Sequence, residues 1–169
     1  ILRVVFIRVK TNANIFINDM TESTIGAIRS KCRRLASSET GLDLVIVDYL
    51  QLVSGGKNYG INRQQEVSDI SRALKLLAVE LHIPIIALAQ LSRSVEQRED
   101  KRPIMSDLRE SGSIEQDADI VSFLYRDSYY KKGVAEGNTS ISELIVGKHR
   151  NGRTDTIKLI FKGDTCSFL

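Results

Sequence analysis

With 169 residues, 42% apolar and 27% charged, the chain can build one domain with a sizeable core and is too short for two full ones. Its two cysteines, Cys32 and Cys166, are far apart and in no ligand spacing, which gives no support to a disulfide framework or a zinc site and suits a reducing, cytoplasmic setting. The net charge of +3 gathers in residues 1–35, with seven basic and two acidic side chains, so overall charge argues only weakly for a nucleic-acid partner.

The apolar stretch Leu2 to Val9 is interrupted by Arg3 and Arg8, and no run approaches the roughly 20 apolar residues of a membrane helix. The expectation is a soluble protein with no membrane partner. Ile15 to Ile17 forms a short apolar run, and Thr21 to Leu35 reads as a helix with Ile25, Ile28 and Leu35 on one face and Lys31, Arg33 and Arg34 near its end, where cations suit the helix dipole. Leu44 to Val47 is apolar without alternation, as in a strand buried on both faces of a parallel sheet. Asp48 ends it. A glycine-containing loop, residues 54–62, precedes the clearest helix, where Val67, Ile70, Leu74, Leu77 and Leu81 recur at helical spacing. Pro84 opens a second run expected to be buried, Ile85 to Ala89, closed by Gln90. This β-loop-α-β order makes a parallel pairing the default.

A polar stretch from Ser92 to Glu110 leads to a short helix with capping-box spacing at Ser113 and Gln116. Its basic residues, Arg93, Arg98, Lys101, Arg102 and Arg109, are interleaved with acids, so a solvated charged loop is as good a reading as a binding face. Ile120 to Tyr125 is the next strand, residues 126–140 read as an exposed connection, and Leu144 to Val146 and Thr156 to Phe161 flank an Asn151-Gly152 hairpin signal.

In a parallel α/β sheet, ligands bind beyond the carboxyl ends of the strands, where Asp48 and Gln90 fall. An Asp after four apolar residues suits a carboxylate that holds Mg²⁺ beside nucleotide phosphates, although strand-ending Asp and Gln residues also serve as turn formers and backbone partners. The combined text is more specific: Leu44-Val45-Ile46-Val47-Asp48-Tyr49-Leu50-Gln51-Leu52, then Ala87-Leu88-Ala89-Gln90-Leu91-Ser92-Arg93, then Asp107 through Asp119, then Lys148-His149-Arg150-Asn151-Gly152. In order and spacing these resemble the later motifs of the DnaB-type replicative helicases, over residues 14–168.

That resemblance implies an α/β, RecA-like motor domain, truncated at its N-terminal side, with a mostly parallel sheet, flanking helices and a C-terminal β-hairpin. Residues 1–13 form an unmatched N-terminal segment, and residues 14–169 the later part of the motor. The resemblance further implies an ATP-dependent DNA helicase that unwinds duplex at the replication fork, uses ATP and Mg²⁺, and assembles as a homo-hexamer ring on single-stranded DNA, with primase and a helicase loader as further partners. By the same carry-over, Asp48 is the Walker B metal-holding carboxylate and Gln90 the γ-phosphate sensor. Arg109, Glu110 and Gly112 belong to the DNA loop, and Lys148 and Arg150 form the basic pair that enters a neighbouring subunit's ATP site. Strand alternation puts Lys148 and Arg150 on one face and His149 on the other. Gly112 lets a phosphate approach the main chain, and the helix opening at Ser113 offers unpaired N–H groups. Glu110 would repel a phosphate and is better suited to orienting Arg109 or a neighbouring loop.

The pattern G-x-x-x-x-G-K-[ST], which grips phosphates through backbone N–H groups and a lysine, does not occur: Gly56-Lys57 and Gly147-Lys148 both fail it. The family's catalytic glutamate is likewise expected upstream of the matched region. The 169 residues by themselves are therefore expected not to hydrolyse ATP. Two alternatives stay open: an ATPase-dead remnant that binds DNA or packs against intact helicase subunits, and a RecA or circadian-clock-type ATPase, which should lack the Asp107 to Asp119 text.

Overall fold

The computed structural model describes residues 3–8, 14–18, 24–56, 59, 62–108, 112–130 and 139–169, and only the main chain of Arg3, Phe6, Ile7, Arg8 and Asn14. It divides into two compact units, residues 1–90 with 110–117 and residues 91–109 with 118–169.

The first unit is built on a four-stranded sheet in the order β2-β1-β3-β4. Strand β1 (Arg3–Arg8) runs antiparallel to both β2 (Asn14–Asn18) and β3 (Leu44–Asp48). Strand β3 runs parallel to β4 (Ile85–Ala87), with Val45 opposite Ile85 and Val47 opposite Ala87. The α/β class holds, but among the described residues parallel strand pairing is confined to β3 and β4, apart from one isolated parallel bridge between Thr24 and Ser54. Strands β3 and β4 are joined through α2 (Arg63–Leu81), a connection that suits parallel pairing, whereas β1 lies between β2 and β3 and runs against both, and the remaining strands follow one another as an antiparallel meander.

The expected starts and burials shift accordingly. Helix α1 spans Ile25–Ala36 because the Thr24 hydroxyl caps it by accepting from the Ala27 N–H at 3.2 Å, and the expected start at Thr21 lies outside the described residues. Arg33 does more than face the helix end, for it forms a two-pronged ion pair with Glu80 of α2, at 2.6 and 2.8 Å. In β3 only Val45 and Val47 are fully buried, so one face is core and the other half-covered. Strand β4 stops at Ala87 rather than Ala89, and its run is not buried: Ile86 is 51% and Leu88 46% exposed. Among the described residues β4 stands last in the sheet order with one strand neighbour, so apolar sequence alone overstates its burial.

Helix α2 carries the main apolar stripe, with Val67, Ile70, Leu74 and Leu77 all buried. They pack in one core with Val4, Val45, Val47, Ile28 and Cys32, the last with no solvent exposure. The Cys32 thiol is pushed up to about 11 by that burial. The short helix α3 (Gly112–Asp117) sends Ile114 into the same core. It opens at Gly112, one residue before the expected cap. The Ser113 hydroxyl, instead of capping, donates to Ser68 Oγ of α2 at 2.8 Å.

The second unit is an antiparallel meander, β5 (Ile120–Tyr125), β6 (Thr139–His149), β7 (Asp155–Lys162) and β8 (Ser167–Phe168). The Asn151-Gly152 turn joins β6 to β7 as expected. Strand β5 alternates, burying Val121, Phe123 and Tyr125. Opposite it, β6 carries a bulge: Lys148 faces Val121 but Val146 faces Ser122, leaving Gly147 as the extra residue. A β-carbon at Gly147 would lie 2.9 Å from the Phe123 ring and 3.1 Å from the Met105 sulfur, so packing demands glycine there. Of the connection expected over 126–140, residues 131–138 lie outside the described residues. In the part described, Tyr130 stacks near Tyr125 with ring centroids 6.0 Å apart. Cys166, exposed, sits in the turn before β8. Among the described residues no helix is long and apolar enough to cross a membrane.

Candidate functional site

Asp48 is the last residue of β3, and Gln90 lies three residues beyond β4, so both stand past the carboxyl ends of neighbouring parallel strands. The pairing continues beyond β4: the Leu88 N–H donates to the Val47 carbonyl at 2.9 Å, and the Leu50 N–H to the Leu88 carbonyl at 2.8 Å. Gln51 then closes the ladder with its side chain. Its Oε1 accepts from the Gln90 N–H at 3.1 Å and its Nε2 donates to the Gln90 carbonyl at 3.2 Å. A primary amide can replace a strand neighbour in this way because it carries a donor and an acceptor side by side. In the sequence Gln51 stands within the motif text, but nothing there assigns it a role.

Gln51 is itself anchored. The Arg63 guanidinium donates to its carbonyl and to Glu66, and Glu66 accepts from the Gly55 N–H at 2.8 Å. That N–H, and then Arg63, hold the Glu66 carboxyl below the usual range. By contrast Asp48 is exposed and, among the described residues, forms no side-chain hydrogen bond or ion pair. Gln90 is also exposed and fixed through its main chain, and among the described residues its amide makes no hydrogen bond. The scaffold is bonded while the two chemical groups face outward. Among the described residues no three His, Cys, Asp or Glu side chains gather to hold a metal ion.

In the second unit, Lys148 is half-buried near the end of β6, and Arg150 stands one residue past the strand, in the turn. Alternation along β6 therefore does not by itself set the direction of Arg150. Its guanidinium Nη1 pairs with Asp119 Oδ1 at 2.7 Å, and its N–H donates to the Asp119 carbonyl at 2.8 Å. His149 occupies the space over the turn: a β-carbon at Gly152 would meet its ring at 2.4 Å. This gives His149 a packing role.

The same unit holds a cavity of about 250 Å³ lined by Tyr125, Arg126, Tyr129, Tyr130, Ser142 and Phe161, among others. The Arg126 guanidinium lies 4.4 Å from the Phe161 ring centre, a stacked cation–π contact. Ser142, 1% exposed, has a hydroxyl without a partner among the described residues. Tyr125, pushed up to about 12 by burial and by donating to Asp127 at 2.9 Å, stays a neutral wall. Nothing in the sequence periodicity pointed to this cavity, since its residues come from distant segments.

Of the expected DNA loop, Arg109 and Glu110 lie outside the described residues. Gly112 is exposed, and a β-carbon there would meet nothing within 4 Å. Among the described residues no contact requires a glycine at this position. The basic stretch before it is partly neutralised: Arg98 pairs with the buried Asp107 at 2.7 Å, and Arg102 with Glu143 through two bonds of 2.9 Å. Those two arginines are structural.

Among solved structures, one described as an ATPase domain superposes with a TM-score of 0.84 at 47% identity, over 94% of this chain and 55% of that one. A DnaB-like replicative helicase, described with its interactions with primase, gives 0.81 at 46%, over 90% of this chain and 37% of that one. The fold is thus the RecA-like fold of helicase ATPase domains. A model of the DnaB-like helicase C-terminal domain matches residues 4–169, and the chain belongs to that family. Replicative DNA helicase DnaB of Geobacillus stearothermophilus is 59% identical over 151 residues, and replicative DNA helicase DnaC of Bacillus subtilis (strain 168) 57%. Each alignment covers 89% of this chain and 33% of the relative, so the chain spans about a third of their length.

Proposed function

We propose that the chain is the later part of the motor domain of a replicative DNA helicase that hydrolyses ATP, translocates on single-stranded DNA as a homo-hexamer ring and works in the cytoplasm, with primase and a loader among its partners. The observation that carries this reading is the pairing of Asp48 and Gln90. Two polar side chains that have no bond among the described residues, at adjacent strand ends above a bonded scaffold, are poised for a ligand.

Asp48 fits Mg²⁺: it is a single exposed carboxylate, which is what the ion takes from protein when phosphate oxygens and water complete its shell. When bound, the ion supplies neutralisation of phosphate charge. The amide of Gln90, its main chain held by Gln51, can report on the terminal phosphate. Lys148 and Arg150 would stabilise the charge of the transferring phosphoryl group in a neighbouring subunit. At Gly112 the open space above the main chain suits a DNA phosphate, with Arg109 supplying charge and Glu110 orienting it.

The test uses the full-length parent. Arg150→Ala should lower ATP turnover about 10³-fold with rings intact. Mixed with Asp48→Ala subunits, it should regain part of that turnover, because a ring then contains some sites with both groups. Mixed rings, verified by native mass spectrometry, that stay inactive would remove the case for action across the subunit boundary.

A further inference from the structure

We infer that Asp119 is the positioning residue for Arg150. This rests on the reading of Arg150 as a group acting on phosphate. The register brings the two together: Ile120 faces His149 at the end of the β5–β6 ladder, so Asp119 and Arg150 are the next pair, just past both strands. There Asp119 grips Arg150 twice, through its carbonyl at 2.8 Å on the N–H and through its carboxylate at 2.7 Å on the guanidinium.

The two grips do different things. The main-chain bond extends the ladder by one rung and fixes where the Arg150 Cα stands. The carboxylate fixes where the side chain goes. An arginine side chain has about 2 kcal/mol of rotamer entropy to lose when ordered, and a group ordered in advance does not lose it at the moment of reaction. A guanidinium carries five N–H donors in a planar fork, so a carboxylate on Nη1 can hold one edge while another is presented to an anion. The pair is 46% and 50% exposed, so its net contribution to folding is small. Its consequence is directional. The bulge at Gly147 supports the same end: by inserting one residue before Lys148 it brings His149, and hence Arg150, into step with Ile120 and Asp119.

The main-chain grip does not depend on the side chain, so Asp119→Asn and Asp119→Ala should both fold and assemble normally. In the full-length parent, both should lower kcat for ATP hydrolysis roughly 10- to 100-fold, leave KM for ATP nearly unchanged, and leave the melting temperature unmoved. Asp119→Glu, which keeps the charge, should recover part of the rate. In an Arg150→Ala background, with the residual rate followed by radiolabelled ATP in single turnovers, Asp119→Asn should cost nothing further. Equal losses in both backgrounds would overturn the inference, as would an unchanged kcat in Asp119→Asn beside a collapsed kcat in Arg150→Ala. The latter result would leave the reading of Arg150 standing. If Arg150→Ala itself turned over normally, that reading would fail and this inference with it.

Discussion

The two units present their reactive groups by opposite means. In the first, Asp48 and Gln90 are placed by main-chain pairing between parallel strands, with Gln51 completing the last rung, and among the described residues their own side chains carry no part of the load. In the second, side chains hold one another: Arg150 on Asp119, Arg102 on Glu143, Arg98 on Asp107, Arg126 on Phe161. Main-chain ladders over an apolar core respond little to pH and salt, whereas charge-assisted contacts near the surface respond to both. The first unit seats its groups on a main-chain ladder, and the second holds its groups chiefly through side-chain contacts.

The contrast is broken most severely at the core of the seat. Leu77 has no exposure, and Leu77→Ala should cost about 2–5 kcal/mol, measured by urea unfolding, with a loss that is the same at low and high salt. A strongly salt-dependent loss would mean that the Arg33–Glu80 and Arg63–Glu66 pairs hold the first unit more than its apolar core does. A smaller effect sharpens the comparison: Gln51→Ala removes the clamp on Gln90 and should cost about 1 kcal/mol, while lowering the DNA-stimulated ATPase rate of the parent several-fold. Amide exchange at the Gln90 N–H, faster in the variant, reads the released rung directly.

The smallest effect concerns acid. The Arg102 guanidinium holds the Glu143 carboxyl below its usual range, so the folded state binds fewer protons than the unfolded one between the two values. The stabilisation is therefore present above the unfolded carboxyl's ordinary value and is lost as pH falls through the depressed folded one. Glu143→Gln should flatten that acid limb in pH-dependent melting curves, with little change near neutrality. A variant whose acid limb matches the parent's would show that the ion pair does not hold the second unit.

What could be read from the sequence was whatever depends on neighbours along the chain. Helix α2 declared itself because Val67, Ile70, Leu74 and Leu77 repeat at the helical period. Strand β3 and its terminal Asp48 followed from a run with a sharp end. The exposure of Ile86 and Leu88 did not, because an apolar run looks the same in a central strand and in an edge strand; the difference lies in how many neighbours the sheet supplies. The partnership of β1 with β3 was invisible for the same reason. The Gln51 clamp reaches across 39 residues, and the Asp119–Arg150 pair joins residues almost as far apart, separations at which no periodic signal survives. The bulge at Gly147 was equally hidden, being a property of two strands together.

The burial of Cys32 gives the molecule a clock. A thiol must be both reachable and ionised to be alkylated, and Cys32, enclosed and held near 11, meets neither condition until the first unit opens. Cys166, exposed in the second unit, can be alkylated without any opening. One reagent added once therefore yields two timescales: a fast first modification, and a slow second whose rate is the opening rate of the seat beneath Asp48 and Gln90 when alkylation outpaces reclosing. Nucleotide or DNA that tightens that seat would lengthen the second interval without touching the first.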